Sequence, residues 1–230
     1  MDENRPQKPE YIPLTIKQIK EDLDNRVEKI EIEFRDGFNF IKEYDRSVTF
    51  FGSARTKENE GDYIQARSLA ARIQKDLGYS IVTGGGPGIM EAANRGAQEA
   101  GGKSLGLTID LPMEQTTNPY LTDHMDFHYF FSRKVCMSFS AEAYVFLPGG
   151  FGTLDELFEI LTLVQTNKIN KAPVILVGVD FWEDFDKLIK DKLLSKGKIN
   201  PEDIDLYTIT DSEEEIVEII KNAPIRVGLE

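Results

Sequence analysis

From residue 47 onward the chain alternates short β-branched and aromatic runs with longer stretches of mixed polarity. The runs are SVTFFG (47–52), YSIVTG (79–84), SLGLTID (104–110), AYVFLPG (143–149) and PVILVG (173–178), and helical stretches are predicted near 61–77, 88–100, 132–140, 153–166 and 181–194. Parallel strands cannot be joined by a tight hairpin and need a crossover, so this alternation constrains the chain to a parallel sheet. The runs show no polar alternation, which suits strands covered on both faces. A last run, DLYTIT (205–210), precedes Ser212, and the spacing from Ser212 to Glu215 is that of a capping box opening the helix EEIVEIIKN. The fold class read from this pattern is α/β, a doubly wound parallel sheet with helices on both faces.

Upstream the periodicity is different. Apolar residues fall at Ile16, Ile19, Leu23, Val27, Ile30, Phe34, Phe38 and Ile41, which is 25 residues in seven steps, about 3.6 per turn. That spacing predicts an amphipathic helix, with Gly37 as its point of weakness. Its stripe must be covered, by the chain's own domain or by a partner subunit. The 230 residues therefore divide into a tail and helical extension (1–46) and one α/β domain (47–230).

Composition narrows the function. Acidic residues number 40 against 27 Lys and Arg, a net charge of −13. Such a field repels polynucleotide phosphates, so no nucleic acid polymer is expected as a partner. A small anion needs only a few local amides and cations and is still allowed. No apolar run approaches the roughly 20 residues of a membrane helix, so no membrane partner is expected. The start, MDENRPQKPEY, lacks a basic stretch followed by an apolar block, which predicts no signal peptide and a cytoplasmic location. With one cysteine, Cys136, and two histidines, His124 and His128, neither a disulfide nor a metal site is expected.

In open parallel sheets ligands bind beyond the carboxyl ends of the strands, where loops enter helix N-termini with free amides. Three such junctions are glycine-rich: FFGSAR (50–55), TGGGPGIME (83–91) and LPGGFGTLDE (147–156). In the second, Gly86 and Gly88 imitate a dinucleotide fingerprint poorly, because Glu91 stands where its third glycine belongs, although Asp110 could serve as the acidic ribose ligand. Gly supplying a turn and Pro87 opening a helix at its first position is the structural alternative. In the third, Gly149, Gly150 and Gly152 let backbone approach a ligand, and Thr153 brings a hydroxyl and amides to an anion. Two readings of Glu156 stay open here. Its spacing from Thr153 makes TLDE a capping box, yet a carboxylate beside a phosphate-sized nest at a strand end also suits catalysis.

Arg133 and Lys134 are predicted at the start of the helix that leads into the third junction. Two cations at a helix N-terminus oppose its dipole unless an anion lies close by. The alternative is a solvated basic pair on an acidic surface. Met137 and Phe139 read as core residues, and Cys136 as an inert buried thiol.

These segments together resemble the LONELY GUY family. PGGFGTLDE is similar to its PGGxGTxxE signature and GGGPGIMEAANRGA to its glycine segment, while FGSAR, FFSRK and ELFEILTLVQ follow in family order, over residues 45–180. The resemblance implies a Rossmann-like fold, no cofactor, a homodimer, and hydrolysis of the N-glycosidic bond of a nucleoside 5′-monophosphate to free base and ribose 5-phosphate. The long N-terminal helix and LTIDLPMEQTTNPY look like the larger bacterial branch, which points to AMP or another common nucleotide as substrate. By position, Arg133 and Glu156 match the catalytic pair, and Gly149, Gly150, Gly152 and Thr153 the phosphate loop. Lys134, Gly52, Ser53, Gly85, Gly86 and Glu91 are expected to shape the nucleotide pocket. Arg133 could either assist the departing base or clamp the phosphate. A non-catalytic nucleotide-binding, sensing or carrier module on the same scaffold is the alternative function.

Overall fold

The computed structural model describes residues 15–110, 117–169 and 171–225. Among the described residues seven strands form one sheet: β1 (Ser47–Phe51), β2 (Ser80–Thr83), β3 (Ser104–Ile109), β4 (Asp123–Phe127), β5 (Ala143–Phe146), β6 (Val174–Leu176) and β7 (Tyr207–Ile209). Accompanying them, the described residues form α-helices α1 (Ile16–Lys42), α2 (Gly61–Leu77), α3 (Ile89–Glu99), α4 (Phe130–Ser138), α5 (Phe151–Gln165), α6 (Val179–Leu188) and α7 (Glu213–Lys221). The strand order is β4-β3-β2-β1-β5-β6-β7, and every pairing is parallel. The expected α/β, Rossmann-like doubly wound sheet is the observed fold.

Two apolar layers flank the sheet. On one face α2, α3 and α7 bury Leu69, Ile73, Ile89, Ala93 and Ile216 against Val48, Phe50, Ile81 and Val145. On the other, α4, α5, α6 and the last turns of α1 bury Met137, Leu157, Ile160, Trp182 and Ile41 against Phe51, Leu107, Tyr144 and Phe146. Consecutive side chains of a strand point to opposite faces, so Phe50 serves the first layer and Phe51 the second. Phe51 stacks on Phe146 of the neighbouring strand with ring centroids 4.8 Å apart.

β4 is not anticipated by the run pattern. Its residues, DHMDF, are mostly polar, because it is an edge strand of which only Phe127 is buried. Several helix starts also move. α5 begins at Phe151, two residues before the predicted start, so Thr153 lies inside the first turn and TLDE is not a capping box. α3 begins at Ile89 with Gly88 as its N-cap, which leaves Pro87 outside the helix. At α7 half of the expected box is present: Ser212 Oγ accepts the Glu215 N–H at 3.3 Å, while the Glu215 carboxylate turns to Thr210 Oγ1 at 2.6 Å.

Helix α1 runs without a break through Gly37. Glycine is there for contact: a Cβ would stand 2.5 Å from Cys136 Sγ on α4. The apolar stripe of α1 divides in two. Ile41 is buried and Phe34 packs on the core, whereas Ile16, Leu23 and Val27 are 75%, 49% and 64% exposed. Phe139, expected in the core, is 39% exposed and meets Phe38 of α1 edge-on at 5.9 Å. Among the described residues no helix is long and apolar enough to cross a membrane. The tail before residue 15 and positions 111–116 of LTIDLPMEQTTNPY lie outside the described residues.

Candidate active site

In the strand order β1 lies between β2 and β5, so the connections diverge to either side of it and open a crevice beyond the carboxyl ends of β1 and β5. A cleft of about 810 Å³ occupies that crevice. Its walls include Gly52, Ser53 and Arg55 after β1, Gly84 after β2, Arg133 and Lys134 from α4, and Gly150 to Glu156 from the start of α5.

Among the residues predicted from sequence, the fold thus brings together Gly52, Ser53, Arg133, Lys134, Gly150, Gly152, Thr153 and Glu156. Four others stand behind the walls. Gly149 lies under Thr153, where any Cβ would collide with the threonine side chain. Gly85, at φ +73°, and Gly86 form the turn that supports Gly84. This turn is held from below: Thr83 Oγ1 accepts the Gly85 N–H at 2.9 Å, and Asn118 Nδ2 donates to Gly86 O at 3.1 Å and to the buried Asn94 Oδ1 at 2.9 Å. Glu91 does not line the cleft and accepts a hydrogen bond from Tyr63 Oη at 2.9 Å.

The α5 start is an anion-binding geometry. Its first helical hydrogen bond runs from Leu154 N–H to Gly150 O at 3.1 Å, so the amides of Phe151, Gly152 and Thr153 precede the ladder. Gly150 caps the helix without a side chain, and the amides and the positive end of the dipole open onto the cleft.

Glu156 lies one turn further along α5. Its Oε2 is buried and has no hydrogen-bond partner among the described residues. Burial pushes its carboxyl pKa up to about 7; Lys134 and Arg133 pull it down, and Glu159 and Asp155 raise it further. A carboxylate poised near neutrality in a cleft can hold or release a proton under ordinary conditions.

The two cations of α4 play different parts. Arg133 Nε donates to Leu107 O at 2.7 Å, leaving its terminal nitrogens beneath Gly84. Burial lowers the Arg133 pKa from the usual arginine value while Glu156 raises it, and a guanidinium stays charged throughout. Lys134 Nζ pairs with Asp155 at 2.7 Å and Glu159 at 2.6 Å and lies 4.0 Å from Glu156 Oε1. Neither is a solvated surface cation. Cys136 is buried, and desolvation pushes its thiol up to about 12, as an inert thiol requires.

Sequence reasoning missed Arg55, Phe130, Met90 and Ile109 on the cleft wall. Arg55 had a signal, being a cation three residues past Gly52 at a strand end. The apolar members had none, since nothing local distinguishes them from core residues.

The family model described as possible lysine decarboxylase matches residues 90–220, more than half of the chain. The chain belongs to this family, the LONELY GUY family. A cytokinin riboside 5′-monophosphate phosphoribohydrolase of Arabidopsis thaliana is 28% identical over 180 residues, covering 76% of each chain. A second Arabidopsis relative, named as a probable enzyme of the same activity, is 32% identical over 151 residues, 62% of this chain and 73% of its own length. The fold also matches the molybdenum cofactor carrier protein of Chlamydomonas reinhardtii, with a TM-score of 0.56 at 21% identity over 77% of this chain and 96% of that one. The stretch PGGFGTLDE (148–156) thus supplies the start of α5 and ends on Glu156, whose Oε2 is buried without a hydrogen-bond partner among the described residues.

Proposed function

We propose that this chain hydrolyses the N-glycosidic bond of a nucleoside 5′-monophosphate such as AMP, releasing free base and ribose 5-phosphate. The observation that carries the reading is Glu156: a buried carboxylate oxygen, Oε2, with no hydrogen-bond partner among the described residues, one turn beyond a set of open helix amides. A buried unsatisfied oxygen is costly and is kept where a ligand completes it.

Phosphate on the amides of Phe151, Gly152 and Thr153 sets the sugar against Glu156. Breaking the ribosyl bond builds positive charge at the anomeric carbon, which the ionised carboxylate stabilises while it orients the attacking water. The base leaves with excess electron density, and Arg133 offers the donors of its terminal nitrogens, because Nε is already committed to Leu107 O. Fixing phosphate and sugar at once supplies much of the rate through orientation.

Amine chemistry fits the cleft poorly. Decarboxylation of lysine through pyridoxal phosphate requires a lysine that gives up its proton to form a Schiff base. Among the described residues the lysine on the cleft wall is Lys134, and although desolvation lowers its pKa, hydrogen bonds to Asp155 and Glu159 outweigh this and push it up to about 12.

The test is incubation with AMP, CMP, GMP and UMP followed by chromatography for free base. Release from at least one supports hydrolysis; binding without release supports the carrier alternative. We also propose that a second copy of the chain covers the exposed stripe of Ile16, Leu23 and Val27, as a homodimer of about twice the 26.1 kDa chain. Light scattering distinguishes dimer from monomer.

A further inference from the structure

Helix α4 is poorly equipped to start where it does. Its N-cap, Tyr129, makes no side-chain capping bond, and its first turn contains no acidic residue while Arg133 and Lys134 follow. The missing anion comes from a different element. Glu33 of α1 reaches across: its Oε1 accepts the His128 N–H at 2.5 Å, and its Oε2 accepts the Tyr129 N–H at 3.3 Å and the hydroxyl of the buried Ser132. These partners are 95 to 99 residues away in sequence, so the cap is tertiary.

We propose that Glu33 is a positioning residue for Arg133. The carboxylate satisfies amides that the helix leaves open and opposes the positive end of its dipole, which removes the cost of two cations at that end. The link to Arg133 is short. Tyr129, held through its N–H by Glu33, accepts the Arg133 N–H through its own carbonyl at 3.2 Å, and Ser132 immediately precedes Arg133. Backbone at one end and Leu107 O at the other fix the guanidinium in the cleft. Without Glu33 the first turn of α4 is free to fray, and an error of about 1 Å in a reacting group costs up to about 10²-fold in rate. The extension that precedes the α/β domain thereby becomes part of the active-site support.

The inference rests on the hydrolase reading, and its test is a double-mutant cycle of wild type, Glu33→Ala, Arg133→Ala and the double variant, with kcat/KM for AMP measured under single-turnover conditions and thermal midpoints alongside. Glu33→Ala is expected to lower kcat/KM about tenfold in the wild-type background and less than twofold in the Arg133→Ala background, because a support has no effect once its client is gone. An equal loss in both backgrounds, or no loss in the first, overturns the proposal. If Glu33→Ala does not fold, Glu33→Gln and Ser132→Ala, which remove the charge or one contact, take its place in the same cycle. If wild type releases no base from any monophosphate, the hydrolase reading fails separately, and the same cycle is read from AMP affinity by calorimetry with the same two outcomes.

Discussion

The Arg133 guanidinium lies against the α-carbon of Gly84, so close that a methyl group there would overlap its Nη2. Gly84 is not in the left-handed region, and its backbone would accept alanine. The glycine is needed for space. Gly84→Ala is therefore expected to displace the guanidinium, a flexible side-chain end, while leaving the fold intact. Its kcat/KM should fall at least about tenfold with a thermal midpoint within a few degrees of wild type. Wild-type turnover in this variant would show that Arg133 does not need its observed place.

For Glu156→Gln, size is kept and the charge is lost. A drop of about 10²-fold or more in kcat is expected. Stability should move the other way. With its folded pKa raised to about 7, Glu156 favours the folded state fully below its unfolded value near 4.5, and that contribution is lost as pH rises from there through 7. Above pH 7 the wild type carries a buried charge that glutamine does not, a difference on the order of 3 kcal/mol. Thermal melts should show the variant more stable than wild type at pH 8 and no such advantage at pH 4. A variant that is less stable at both pH values while keeping its turnover would make Glu156 a structural residue.

The strand and helix alternation was legible because the buried strands are largely apolar runs and glycine follows β1, β2, β5 and β6. β4 was not, since an edge strand with only Phe127 buried has no apolar run to recognise. Glu156 and Arg133 could be found through motif position, and Glu156 by its place at a strand end. The cap reading of TLDE failed because Gly150, which has no capping side chain, starts α5 early, and spacing alone does not reveal which residue begins a helix. Glu33 left no trace in sequence. It lies off the apolar stripe among other acidic residues, and only the crossing of α1 over α4 brings it to Tyr129.

Lys134 tunes Glu156 without touching it closely. At 4.0 Å its ammonium favours the ionised carboxylate, so removing it should raise the Glu156 pKa above about 7. If the ionised form is the active one, kcat/KM for AMP rises with pH through the Glu156 pKa and then levels. In Lys134→Gln that ascending limb should move to higher pH, by up to about one unit. An unmoved limb in the pH profile would mean that another group titrates there.

Thr153 separates phosphate binding from binding in general. It is buried at the third position of α5, with its amide ahead of the helical ladder and its side chain folded over Gly149. Thr153→Val keeps the shape of the side chain and the amide but removes the hydroxyl donor. One charge-assisted hydrogen bond to a phosphate is worth about 1.5–3 kcal/mol, or roughly 10- to 100-fold in affinity. AMP should therefore bind about that much more weakly to the variant, whereas adenosine, which has no phosphate to lose contact with, should bind as it does to wild type. Calorimetry with both ligands on both proteins measures the difference, and an equal loss for the two would remove the phosphate from the start of α5.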